Sequence, residues 1–137
     1  MQLIKALFLC IFKHWKQKDK SGKRYIWHPI YVMLKVKGYK EKIVALLHDI
    51  VEDTNVSFQD LKKMKFSSDV LKSVYVITKN KNQDYFEYLE KIKQNKIARA
   101  VKIQDLKHNS NLKRLKKITQ EDYKRLEKYE QALEYLN

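Results

Sequence analysis

Apolar residues recur every three to four positions along almost the whole chain, the period of helices packed on one face. Leu3, Leu7, Cys10, Ile11 and Trp15 form one such stripe, which ends before the polar run Lys16 to Lys23. Pro29 suits the first position of a helix, where no backbone donor is needed, and that helix is predicted to reach Lys37. Gly38 then reads as its left-handed stop. A third helix is predicted from about Lys40 to Glu52, and Ser57 with Asp60 forms a capping pair for a short one ending near Lys65. Ser68 caps the next, turning Val70, Leu71, Val74 and Ile77 inward. Further helices are predicted over Asp84 to Gln94, Lys96 to Asn109 and Thr119 to Leu136, with Thr119 and Asp122 as the last capping signal. Only Ser73 to Thr78 is β-branched enough for a strand, and its length and neighbours favour helix. The pattern predicts an all-α fold.

Composition narrows this further. Two glycines and one proline are too few for sandwiches or barrels built on many tight turns. With 137 residues and no repeat or linker, residues 1–137 are expected to form one domain, a compact bundle of about seven or eight helices. The lone Cys10 excludes an internal disulfide and a multi-cysteine zinc site, and it fits a reducing cytoplasm. The apolar run Leu3 to Phe12 is interrupted by Lys5 and is too short to span a bilayer. No cleavage site follows it, so neither anchor nor signal peptide is expected, nor any membrane partner. The net charge of +14 is carried mainly by lysine. Such a surface attracts nucleic acid, anionic membranes or small polyanions such as nucleotides. Scarcity of arginine argues against base reading.

The chemistry concentrates in Ala45-Leu46-Leu47-His48-Asp49-Ile50-Val51-Glu52-Asp53. Four ionisable side chains on an otherwise apolar helix need charged or metallic partners, because an unpaired buried charge costs several kcal/mol. A continuous helix would place His48 over Glu52 and Asp49 over Asp53. His28 precedes Pro29 at a helix entrance, and Asp105 interrupts the apolar stretch Ala100 to Leu106. Each alone has a bland explanation: a hydrogen-bonded histidine, a chance dipeptide, an aspartate paired with a lysine. Together, two imidazoles and two carboxylates make a mixed N/O donor set suited to a first-row divalent ion, with reactive carboxylates beside it.

This H…HD…D order resembles the HD superfamily of metal-dependent phosphohydrolases. Four strings are similar, more specifically, to the hydrolase domain of RelA/SpoT proteins and the stand-alone small alarmone hydrolases. They are Ser21-Gly22-Lys23-Arg24-Tyr25-Ile26-Trp27-His28-Pro29, Leu47 to Thr54, Thr78-Lys79, and Val101 to Asn109, within a resemblance running from about Ala6 to Leu115. The resemblance implies a helical HD-domain bundle. It implies His28, His48, Asp49 and Asp105 as metal ligands, usually for Mn²⁺, with another first-row divalent ion as the alternative. It implies Glu52 and Asp53 as the catalytic pair that manages the attacking water and leaving group. Lys20, Ser21 and Asn109 match positions that contact the nucleotide. The implied reaction removes pyrophosphate from the 3′ position of guanosine tetra- or pentaphosphate.

Two departures weaken the guanosine reading. The family's usual Arg-Lys before Ser-Gly reads Asp19-Lys20, and the threonine seven residues after the final aspartate is Leu112. They keep another phosphorylated nucleotide, such as a nicotinamide dinucleotide phosphate, open as a substrate. The charge keeps a non-enzymatic nucleic-acid-binding module open, though such a module leaves the buried ionisable groups unexplained. His14 is expected to fix the loop after it and His108 to lie near the site without ligating, while Tyr25 suits either a pocket wall or the core. Lys113, Arg114, Lys116 and Lys117 read as a solvated face, with attraction of a substrate's phosphates as the alternative. A synthetase domain after Asn137 is not expected, so any alarmone activity is expected to be hydrolytic only. Oligomeric state is not legible from these residues.

Overall fold

A computed structural model describes residues 1–19 and 22–137. Among the described residues nine α-helical segments follow one another: α1 (Gln2–His14), α2 (Trp27–Lys35), α3 (Tyr39–Leu47), α4 (Ile50–Asp53), α5 (Phe58–Lys63), α6 (Ser68–Ile77), α7 (Tyr85–Lys93), α8 (Lys96–Asn109) and α9 (Gln120–Leu136). A 3₁₀ turn at Leu112–Arg114 precedes α9, and an isolated bridge between Lys18 and Arg24 is the only extended pairing among the described residues. The fold is all-α, as the periodicity predicts. The bundle has the expected helices, with the predicted third one divided into α3 and the four-residue α4.

α3 is the axis of the bundle and packs against α1, α2, α6 and α8. Its residues Ile43, Val44, Ala45, Leu46 and Leu47 are all fully buried, as expected of a helix apolar on every side. Each large side chain buried in this way is worth about 1.5–3 kcal/mol. The helix stops at Leu47, and Asp49 adopts φ −105° and ψ 0°, outside helical geometry. The His48 ring takes Ala45 O, one of the last carbonyls of α3, at 2.5 Å. The predicted Lys40 to Glu52 helix therefore breaks where the ionisable residues begin. Asp49 instead caps α4, its carbonyl accepting the Asp53 N–H at 2.9 Å.

Gly38 is a second correction. Its φ is −78°, so it is no left-handed stop; it is the N-cap of α3, and its N–H donates to Glu41 Oε2 at 3.1 Å. Pro29 sits at the third position of α2 rather than the first, still within the turn that lacks intrahelical acceptors. Both predicted capping boxes form, Ser57 with Asp60 and Thr119 with Asp122. Ser67 rather than Ser68 precedes α6. Trp15, predicted inward, lies beyond α1 and is 51% exposed. Among the described residues no helix is long and apolar enough to cross a membrane.

Candidate metal centre and its surroundings

Three elements converge on one point: the first turn of α2 brings His28, the end of α3 brings His48 and Asp49, and α8 brings Asp105. α8 packs on both α2 and α3, which closes the triangle. One donor atom from each of the four residues lies within 4.8 Å of the others. His28 Nε2 is 2.8 Å from Asp105 Oδ1 and 3.9 Å from Asp49 Oδ2. His48 Nε2 is 3.0 Å from Asp49 Oδ2 and 3.4 Å from Asp105 Oδ1. His28, His48 and Asp105 are buried, while the Asp49 side chain keeps 20% of its surface exposed.

The His48 tautomer carries most of the meaning. Ala45 O can only accept, so Nδ1 holds the proton and Nε2 presents a lone pair. That lone pair is buried with no hydrogen-bond partner among the described residues, and it faces two carboxylate oxygens. Three electron-rich atoms at such separations repel unless an electropositive centre stands between them. A proton on Nε2 would relieve one contact; a divalent ion would satisfy all four donors together. The negative end of the α3 dipole points the same way and favours a cation. The donor set thus fits a divalent metal, and its identity is open within the first-row ions.

The electrostatics of the two carboxylates differ. Burial raises the Asp49 pKa well above the usual carboxylate range, and the neighbouring Asp105 and Asp53 charges add to it. Burial also opposes ionisation of Asp105, but Lys102, the bond from His28 and the nearby His48 ring outweigh it and hold Asp105 well below that range. Lys102 Nζ lies 2.8 Å from Asp105 Oδ2 and is itself held strongly protonated by that carboxylate despite its burial. Burial lowers the pKa of His28 as well.

Around the four donors stand residues of several kinds. The Tyr25 hydroxyl donates to Asp49 Oδ2, so Tyr25 belongs to the site rather than only to the core. His108 Nδ1 lies 2.7 Å from His28 Nδ1, behind that ring rather than among the ligands. Its pKa is lowered to about 4, first by burial and then by Arg114. Glu52 Oε1 accepts the Lys79 backbone N–H at 3.1 Å, which fixes the carboxylate beside the cluster, and partial burial raises its pKa. Asp53 is exposed on the same turn. His14 Nδ1 meets Gln17 Oε1 at 2.9 Å, holding the loop after α1.

The nucleotide-contact positions are less complete. Asn109 Nδ2 donates to Asp105 Oδ1 at 3.1 Å and also lines a cavity of about 210 Å³. Lys20 and Ser21 lie outside the described residues. Asp19 and Leu112, the two departures from the family pattern, line the same cavity. Arg114, read from the sequence as part of a solvated face, lies there too, with Nη2 3.2 Å from Asp19 Oδ2 and Nη1 3.0 Å from His108 O. The Arg114 guanidinium thus ties Asp19 to the end of α8 at the cavity wall. Sequence reasoning also missed Lys102, whose signal was its spacing of three residues from Asp105 on an otherwise apolar helix face.

No protein-family model matches the chain. It is 41% identical over 71 residues to the guanosine-3′,5′-bis(diphosphate) 3′-pyrophosphohydrolase of Aquifex aeolicus, covering 49% of this chain and 10% of that protein. It is 36% identical over 89 residues to the guanosine-3′,5′-bis(diphosphate) 3′-pyrophosphohydrolase MESH1 of Drosophila melanogaster, covering 59% of this chain and 49% of that one. The chain therefore spans about a tenth of the first of these relatives and about half of the second. Its fold matches a solved metazoan ortholog of SpoT that hydrolyzes ppGpp, with a TM-score of 0.80, 26% identity, and coverage of 98% of this chain and 84% of that one. Sequence and fold together support the resemblance of this chain to the HD-superfamily hydrolases of ppGpp.

Proposed function

We propose that residues 1–137 form a single metal-dependent phosphohydrolase domain that acts on nucleotide polyphosphates, with guanosine 3′,5′-bis(diphosphate) as substrate and pyrophosphate as product. The observation that carries the metal dependence is the unpartnered, buried His48 Nε2 facing Asp49 and Asp105. The substrate rests on the relatives and on the motif order. Mn²⁺ is the proposed ion, held by His28, His48, Asp49 and Asp105.

A divalent ion bound there supplies Lewis acidity toward the phosphoryl group and the attacking water. The chain does the rest. Water attacks the phosphorus attached to the 3′ oxygen, the P–O3′ bond breaks, and the nucleoside oxygen takes up a proton. Glu52, aimed by the Lys79 amide and with a raised pKa, is placed to take the proton from water. Asp53, on the same turn, assists the leaving oxygen. Tyr25 and Lys102 orient Asp49 and Asp105 through direct bonds, and His108 backs His28. Asn109 and Arg114 line the adjoining cavity, where substrate phosphates would find donors. Lys20 and Ser21 are proposed to join them. The buried thiol of Cys10, whose pKa burial pushes up to about 12, suits a reducing cytoplasm.

Asp19 and Leu112 in that cavity favour testing a second reading within the same chemistry, a nicotinamide dinucleotide phosphate. A panel of guanosine tetraphosphate, its adenosine counterpart and the dinucleotide phosphate, assayed with Mn²⁺, separates the two. Pyrophosphate released fastest from the guanosine compound supports the proposal. Orthophosphate released from the dinucleotide, with no pyrophosphate from the others, contradicts it.

A further inference from the structure

The outer face of α1 carries a line of large apolar side chains that stay mostly exposed among the described residues. Ile4, Phe8 and Phe12 follow at helical spacing and are 51%, 70% and 79% exposed, and Trp15 continues the line just past the helix. Single exposed apolar residues are ordinary, but an aligned set of large ones marks a docking surface. The opposite side of the helix already faces the core through Ala6, Cys10 and His14. Between Ile4, Phe8, Phe12 and Met64 lies an open groove of about 400 Å³, floored by Leu9.

The surrounding charge identifies the occupant. No acidic residue occurs before Asp19, whereas Lys5, Lys13, Lys16 and Lys18 lie in that stretch. On the other side of the groove, exposed Lys62, Lys63 and Lys65 flank Met64. A second copy of this chain would set these lysines against their equivalents, with a charge of +14 on each molecule. An anionic bilayer surface answers both features at once, taking the rings among its acyl chains and the ammonium groups among its headgroups. Trp15, with Arg24 stacked 4.4 Å from its ring centroid, has the amphipathic character favoured at headgroup depth. We propose that α1 lies on anionic lipid through Ile4, Phe8, Phe12 and Trp15, making the protein a peripheral membrane binder. The expectation of no membrane partner rested on span length, which bears on crossing a bilayer and not on lying upon one.

The test uses the full chain and vesicles of phosphatidylcholine, either alone or with about 30% phosphatidylglycerol. In a Trp27→Phe background Trp15 is the sole tryptophan and reports insertion. Co-sedimentation and a blue-shifted Trp15 emission are expected with the anionic vesicles only. Phe8→Ser combined with Phe12→Ser changes exposed residues, so the melting temperature should hold while partitioning falls about tenfold or more. Absence of binding by the parent, equal binding by the double variant, or equal binding to both vesicle types overturns the proposal. So does a dimer in sedimentation that the double variant dissolves, since the face would then belong to a second copy.

Discussion

Lys102 and Asp105, one turn apart on α8, form a largely buried ion pair at 2.8 Å, so the cluster's central carboxylate carries its own counter-ion. The lysine offsets one of the two negative charges that Asp49 and Asp105 would otherwise present to each other in the absence of metal. Lys102→Met keeps the length of the side chain and removes the charge. It should lower the stability of the metal-free protein by about 3 kcal/mol, the low end for breaking a buried pair, since His28 and Asn109 still bond Asp105. Added Mn²⁺ should then raise the melting temperature more in the variant than in the parent. Thermal unfolding of both proteins with and without the ion checks this.

Glu52 separates holding metal from doing chemistry. It is anchored by the Lys79 amide and lies outside the four-donor set. Glu52→Gln keeps shape and reach but cannot accept a proton as the carboxylate does. Turnover should fall by about 10²–10⁴ with Mn²⁺ content unchanged. Metal analysis and rate, measured on the same preparation, decide the matter; full metal with an undiminished rate would remove Glu52 from the mechanism.

A third expectation concerns the fold alone. Lys65 follows the end of α5 with φ +64°, a left-handed conformation that side chains resist. Glycine is the residue that relieves it, at some entropic cost in the unfolded chain. Lys65→Gly should therefore stabilise the protein by about 0.5–1 kcal/mol, a rise of about 2–4 °C in melting temperature. Lys65→Ala keeps the strain and should gain nothing comparable.

Helical period and capping chemistry are local, so α8 emerged with the bounds Lys96 and Asn109 that periodicity predicts, and Ser57 with Asp60 and Thr119 with Asp122 cap as read. The donor set was legible because His48, Asp49 and Asp105 interrupt apolar stretches, and such interruptions demand partners. The break of α3 at His48 was not legible, since it depends on an imidazole taking the Ala45 carbonyl while the ring is held inside the bundle. Gly38 was misread because a glycine between two helices can end the first or begin the second, and only Glu41 reaching back settles which. Lys102 was hidden among many lysines, and Arg114 within a basic run, because burial and partner choice are tertiary facts.

The central claim is that pyrophosphate release depends on a metal held by His28, His48, Asp49 and Asp105. The most direct measurement follows pyrophosphate from guanosine 3′,5′-bis(diphosphate) before chelation, after chelation, and after stepwise return of Mn²⁺, with His48→Ala alongside. The account predicts a rate that falls at least about 100-fold on chelation and returns as one equivalent of ion binds, and no recovery in His48→Ala. A rate that survives full removal of metal, or a His48→Ala variant restored by one equivalent, would contradict it.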